Sequence, residues 1–178
     1  FLASFFVTLL FLPPVSVSST TQSAGAGLKM AARDVPFVTF TVLMMGYWFM
    51  WVQLSIAMPL EIKHLTGNDG SVGIMFTVSA ILSIVLQVPA LRLAERFFRP
   101  TPTIIVGMLA MAFGMGSVAL TSSVVAFYAS LFFFSLGSVL ATPSAQTVTA
   151  EMADDRARGP YFGVGSLAMA VGGGLGHI

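Results

Sequence analysis

GSVGIMFTVSAILSIVLQVPAL, residues 70–91, runs for 22 residues without an Asp, Glu, Lys or Arg, and RLAERFFRP, residues 92–100, follows with three arginines and one glutamate. A bilayer core about 30 Å thick needs about 20 apolar residues at about 1.5 Å rise each. The stretch therefore reads as a transmembrane helix ending in a basic loop. The same alternation extends in both directions, because 1–28, 37–60, 100–150 and 159–178 also lack Asp, Glu, Lys and Arg. Phe37–Leu60, at 24 residues, can span with some tilt. The 51 residues of 100–150 are too many for one span, and Thr121-Ser122-Ser123 divides them into Thr101–Leu120 and Val124–Ala150. Pro160–Ile178 opens a further span, and Phe1–Leu12 reads as the end of an earlier one. It lacks the basic flank of a signal peptide.

The expected fold class is an all-α polytopic membrane protein with four complete transmembrane helices and two partial ones. The helices fall at about 37–60, 70–91, 101–120, 124–150 and 160–178, behind a linker at 13–36 whose Ser/Thr/Gly-rich part, Val15–Gly27, reads as flexible. The chain begins at Phe1 and ends within an apolar run, so a piece of a longer protein is expected.

Composition supports this class and excludes others. Charged residues make up 8% of the 178 and hydrophobic ones 56%, against about 25% charged in a soluble domain. The mean hydropathy is +0.91. A soluble enzyme or a disordered tail does not have this composition, and a net charge of +1 gives no field for nucleic acid. The absence of cysteine excludes a disulfide scaffold, a thiolate zinc site and a cysteine nucleophile. No cofactor is expected.

Junctions between spans look like helix ends. Asp34-Val35-Pro36 offers a capping acceptor and a first-turn proline, and Gly67-Asn68-Asp69-Gly70 is a tight turn. Pro89 and Pro143 fall inside spans, where membrane helices tolerate them. Seven of the eight Lys and Arg lie in alternate connections (the linker, 92–100 and 151–159), and Lys63 alone lies in the others. The positive-inside rule therefore places the linker, 92–100 and 151–159 in the cytoplasm.

Motifs for catalysis do not survive inspection. Glu61-Ile62-Lys63-His64 has the spacing of a di-iron half-site but occurs once. Gly163–Ala168 fits a dinucleotide fingerprint only in letters, since it opens a membrane span. Ser166 and His177 lie about 16 Å apart along one helix and cannot pair. No enzyme is expected. Small residues recur every fourth position at Ala110/Gly114, Gly137/Ala141/Ala145 and Ala168/Gly172/Gly176, which lets helices approach closely in lipid. Gly172-Gly173-Gly174 reads further as a soft, thin segment able to bend or slide.

Polar residues within spans point to a site. Gln53 shares a face with Gly46, Met50 and Ala57. Gln87 shares one with Gly73, Ala80 and Ser83. Ser135, Ser138, Thr142, Gln146 and Thr149 form a stripe. These seams line a cavity for an amphipathic solute, or they bond helix to helix with no solute. Tyr47, Trp48 and Trp51 lie midway along a span, where they line an apolar pocket or simply pack.

At these residues the chain resembles the major facilitator superfamily, and its multidrug-efflux members, the drug:proton antiporters, above all. The resemblance runs from the end of the sixth helix to most of the eleventh. Gln53–Leu60 resembles the end of the seventh helix, and Gly73–Phe76 through Leu86–Pro89 the eighth. Leu91–Pro100 is similar to a decayed copy of the loop motif G-x-x-x-D-R-x-G-R-R. Glu95, Arg96 and Arg99 keep its acid and two bases, while Leu91, Phe98 and Pro100 replace two glycines and an arginine. Arg158-Gly159, Phe162-Gly163 and Val171-Gly172-Gly173 resemble the loop and start of the eleventh helix.

The resemblance implies a partial helical bundle of the superfamily type, the C-terminal half of a permease in a bacterial inner membrane. It implies transport of a small apolar or amphipathic molecule by alternating access. The implied partners are the bilayer, that molecule, protons and the N-terminal half of the same polypeptide, which would hold the coupling carboxylates. The substrate-cavity candidates are Gln53, Gln87, Tyr47 and Gln146. Glu95, Arg96 and Arg99 in one loop and Asp155 and Arg158 in the other are candidates for a cytoplasmic gate, or the arginines only fix topology. A non-transporting scaffold or assembly subunit is the alternative.

Overall fold

The computed structural model describes residues 24–153 and 157–177. The expected end of an earlier span at 1–12, the linker up to residue 23, and Asp154, Asp155 and Arg156 lie outside the described residues. The helices are α1 (Ala24–Arg33), α2 (Val35–Val52), α3 (Ala57–Thr66), α4 (Gly70–Phe97), α5 (Pro100–Val118), α6 (Val124–Met152) and α7 (Arg158–Leu175). Among the described residues, four stretches are long and apolar enough to cross a bilayer: Val35–Thr66 with its interruption, Gly70–Ala94, Pro100–Val118 and Val124–Met152.

Local chemistry sets most of the ends. Asp34 caps α2 by accepting the Phe37 N–H on Oδ1 at 3.2 Å, and Ser123 caps α6 by accepting the Ala126 N–H at 3.3 Å. Gly67 closes α3 at φ 64°, a left-handed conformation that glycine adopts without a Cβ penalty. Asn68 Oδ1 then accepts the Gly70 N–H at 2.8 Å, completing the expected tight turn.

Three expectations need correction. The span expected at 37–60 is not one helix. After Val52 the backbone passes through turn hydrogen bonds (Gln53 N–H to Met50 O, 3.1 Å; Ser55 N–H to Val52 O, 2.9 Å) before α3 begins. Pro59 supplies the reason: it has no N–H to give, and its ring crowds the carbonyl four residues back, at Ser55. The helix expected at 70–91 continues to Phe97, so Arg92 and Arg96 lie on its last turns rather than in a loop. Leu91, Leu93 and Ala94 favour helix, arginine stems can lie along apolar surface while their heads reach water, and Arg99-Pro100 ends the run. The linker is not flexible throughout, because Ala24–Arg33 is helical. Its Ala, Leu, Lys and Met are good helix formers, and its inner face is docked: Ala31 is fully buried with Ala157 and Tyr161.

The helices pair in two units. In the first, α5 and α6 form an antiparallel hairpin: Gly107 meets Gly137 and Ala141, while Gly114 meets Ser130 and Phe134. Ser117 Oγ donates to Ser130 Oγ across it at 2.9 Å. In the second, α2 and α7 run parallel. The Phe37 and Tyr161 rings lie 4.6 Å apart at their starts, Met45 faces Gly172, and Phe49 faces Gly176 near their ends. Both therefore start at one membrane face, as the charge count requires of the linker and 151–159. Half of the most apolar window of α6 is buried, against 11% for α4. Accordingly α6 is central, with Phe127, Leu131 and Phe134 in the core, and α4 is peripheral.

Asp34 also accepts the Tyr161 hydroxyl on Oδ2 at 2.8 Å, tying the start of α2 to α7. Asp34→Ala is expected to destabilise the protein by about 1–2 kcal/mol through loss of the cap and this bond. Asp34→Asn, which keeps an acceptor for the Phe37 N–H, should retain most of that. Thermal unfolding of both variants in detergent checks this, and equal melting of Asp34→Ala and the native protein would refute it.

Candidate substrate cavity

The polar stripe on α6 is the axis of the site. Three of its hydroxyls first satisfy their own helix, as serine and threonine do in helix interiors. Thr142 Oγ1 donates to Ser138 O at 2.8 Å, Ser138 Oγ to Ser135 O at 3.0 Å, and Thr149 Oγ1 to Ala145 O at 2.8 Å. The Tyr47 hydroxyl reaches across from α2 to Thr142 Oγ1. A threonine hydroxyl has a single hydrogen, and that of Thr142 goes to Ser138 O, so Tyr47 is the donor. Tyr47 is 1% exposed, and its ring edge meets Trp48 at 5.2 Å.

Two cavities flank this contact. One, of about 190 Å³, lies among α2, α6 and α7. Phe40, Tyr47, Trp48 and Phe162 give it an aromatic wall, and Thr41, Gln146 and Ser166 add polar points. The other, of about 340 Å³, lies between α4 and α6 and is lined by Ser83, Gln87, Ser138, Thr142 and Gln146 among others. Thr142 and Gln146 line both.

Of the residues singled out in the sequence, Tyr47, Gln87 and Gln146 thus converge around Thr142. Gln53 lies elsewhere: its Nε2 donates to Gly176 O at 3.1 Å, joining the C-terminal end of α2 to that of α7. Trp51 packs edge-on to Trp48 at 5.6 Å and is 37% exposed. Ser135 is buried, with Oγ unbonded among the described residues. Phe40, Thr41, Phe162 and Ser166 were not singled out for a cavity. Their signal was weak but present, since Thr41, Met44 and Trp48 fall on one helical face of α2, as do Phe162, Ser166 and Met169 on α7.

The gate candidates are only partly described. Arg96 is exposed, with its guanidinium 5.7 Å from the centre of the Phe97 ring. Arg99 is the cap residue just before α5, its carbonyl accepting from the Thr103 hydroxyl at 3.0 Å. Arg158 is the first residue of α7. Asp155 and the Glu95 side chain lie outside the described residues. Among the described residues no cluster of three or more His, Asp or Glu side chains could hold a metal ion.

Four apolar helical stretches among the described residues, two of them closed into a glycine-packed hairpin, define a multi-pass α-helical membrane protein with a polar-seamed cavity. The chain belongs to the Major Facilitator Superfamily, whose pattern it matches over residues 1–178. It is 32% identical to the "Multidrug resistance protein MdtH" of Aeromonas salmonicida (strain A449) over 178 residues, covering 100% of this chain and 45% of that protein. It is 32% identical over 166 residues to the protein of that name from Yersinia enterocolitica serotype O:8, covering 93% of this chain and 41% of the relative. The Escherichia coli O1:K1 / APEC protein of that name matches at 32% over 167 residues, 94% of this chain and 42% of the relative. The chain spans less than half the length of these curated relatives.

Proposed function

We propose that this chain is the C-terminal half of an efflux-type secondary transporter of a bacterial inner membrane, moving a small apolar or amphipathic molecule by alternating access. The observation that carries the reading is the meeting of an aromatic cavity and an amide-lined cavity at Thr142 and Gln146, in an otherwise apolar bundle. A ring system would lie against Tyr47, Trp48 and Phe162. Hydrogen-bonding groups of the solute would meet Gln87 and Gln146, whose amides each offer both donors and an acceptor. In this half, then, selection rests on shape and hydrogen bonding.

The N-terminal half would close over this face, and the two halves would rock about the site. The paired units α5–α6 and α2–α7 are packed closely enough to move as bodies, and the interruption at 53–56 gives α2 and α3 a place to bend. Proton coupling would draw on carboxylates of the other half. Glu95, Arg96 and Arg99 with Asp155 and Arg158 would form cytoplasmic pairs that tune the inward and outward states, each worth about 0–1 kcal/mol.

The test is ethidium efflux from cells carrying the full-length protein. Loss of one buried hydrogen bond to solute costs about a factor of ten, so Gln87→Leu and Gln146→Leu should each slow efflux by about that much at native expression. Gln53→Leu should lower the melting temperature while leaving efflux per folded molecule near native. Native efflux in both cavity variants would reduce these glutamines to packing residues.

A further inference from the structure

We propose that the groove between α1 and the first turn of α7 binds the headgroup of an anionic phospholipid of the cytoplasmic leaflet. The groove has a volume of about 500 Å³ and is lined by Ala26, Lys29, Met30, Arg33, Asp34 and Tyr161. The first four follow the i, i+3, i+4, i+7 spacing of one helix face, so α1 presents a flank with two cations one turn apart.

The other flank of α1 is what fixes this one in place. A Cβ on Gly27 would fall 2.6 Å from Cγ of Pro160, and Ala31 is fully buried. The helix is therefore held against α7, and Lys29 and Arg33 are left exposed beside the groove. Neither cation has an ion-pair partner among the described residues. Asp34 is the one acid in the lining among the described residues, and both its oxygens are engaged inward, by the Phe37 N–H and the Tyr161 hydroxyl. Among the described residues the groove thus holds two positive charges against one negative.

Position argues for a lipid over a soluble anion. Asp34 and Tyr161 mark the level at which the parallel helices α2 and α7 begin, which is the headgroup level of the bilayer. The charge count makes that side cytoplasmic, where the leaflet is anionic. Apolar residues lie exposed close by, Leu28 at 45% and Val35 at 72%, where acyl chains would run.

The test is phosphatidylglycerol binding to the purified full-length protein in detergent, read by native mass spectrometry, with phosphatidylcholine as comparison. Each cation near an anionic surface contributes about a factor of five in affinity. Lys29→Gln/Arg33→Gln should therefore bind phosphatidylglycerol about 30-fold more weakly, and Lys29→Gln alone about fivefold. The charge-keeping Lys29→Arg/Arg33→Lys should bind as native, as should Lys63→Gln at the opposite membrane face. Unchanged binding in the neutral variants, or equal binding of phosphatidylcholine, would overturn the proposal. So would displacement of the lipid by millimolar inorganic phosphate, which would mark a soluble-anion site. The assay reads no transport, so its failure leaves the transport reading untouched, and the converse also holds.

Discussion

Gly137→Leu is expected to prevent the α5–α6 hairpin from closing and to remove most of the folded protein from the membrane. A Cβ at Gly137 would press on the Gly107 carbonyl and lie 2.6 Å from Met111 N and 2.7 Å from Met111 Cγ. The reciprocal approach is as tight, since a Cβ at Gly107 would lie 2.8 Å from Gly137 O. Most of these neighbours are backbone atoms, so a rotamer change cannot relieve the clash and the helices must separate. Lipid supplies no hydrophobic drive to bring them back, because close van der Waals packing is itself the attraction. Overpacking commonly costs about 1–3 kcal/mol. A leucine driven between two backbones should exceed the upper end of that range, and Gly137→Ala should already be destabilising. Gly116→Leu is the matched control on α5, since a Cβ there meets nothing within 4 Å. Folded yield in membranes and melting temperature in detergent give the measurement. A Gly137→Leu protein that accumulates and melts like the native one would refute this account of the hairpin.

The legibility of this fold divides along a physical line. Features set within a few residues could be read directly: the Asp34 cap, the Gly67–Gly70 turn and the uncharged runs. The charge asymmetry was readable too, because it is a count of Lys and Arg along the chain. Features that depend on a distant partner were not. Gln53 and Gln146 look alike in sequence, each an amide in an uncharged span. What separates them is that Gly176, 123 positions from Gln53, brings a carbonyl within 3.1 Å, while Gln146 has cavities on two sides. The interruption at 53–56 was hidden for another reason. Hydropathy stays high through it, and only the steric reach of Pro59 back to Ser55 marks it. Helix α1 was obscured because its preceding neighbours are Ser- and Thr-rich, and its stability comes from docking on α7.

The sequence marks the glycine triplet of α7 as a soft, thin segment able to bend or slide, and the structure separates its members. A Cβ on Gly172 would run into the backbone of Met45, with Met45 C and Cα both at 2.8 Å. At Gly173 the nearest atom, Val52 Cγ2, is 3.5 Å away, an ordinary contact, and at Gly174 nothing lies within 4 Å. Gly172→Val is therefore expected to pry α7 from α2, at a cost near or above the top of the usual overpacking range, about 3 kcal/mol. The damage should reach the site as well, since the same two helices carry Tyr47, Trp48, Phe162 and Ser166 into the aromatic cavity. Melting temperature and efflux should fall together. Gly174→Ala should do the opposite to stability, raising it by about 0.5–1 kcal/mol, because an unobstructed helical glycine carries an entropic penalty that alanine does not. Its efflux then decides what the triplet is for. If α7 must bend or slide in the transport cycle, Gly174→Ala will be a more stable and slower protein. If efflux stays native while stability rises, the close approach at Gly172 accounts for the glycines, and flexibility at Gly174 has no part in the cycle.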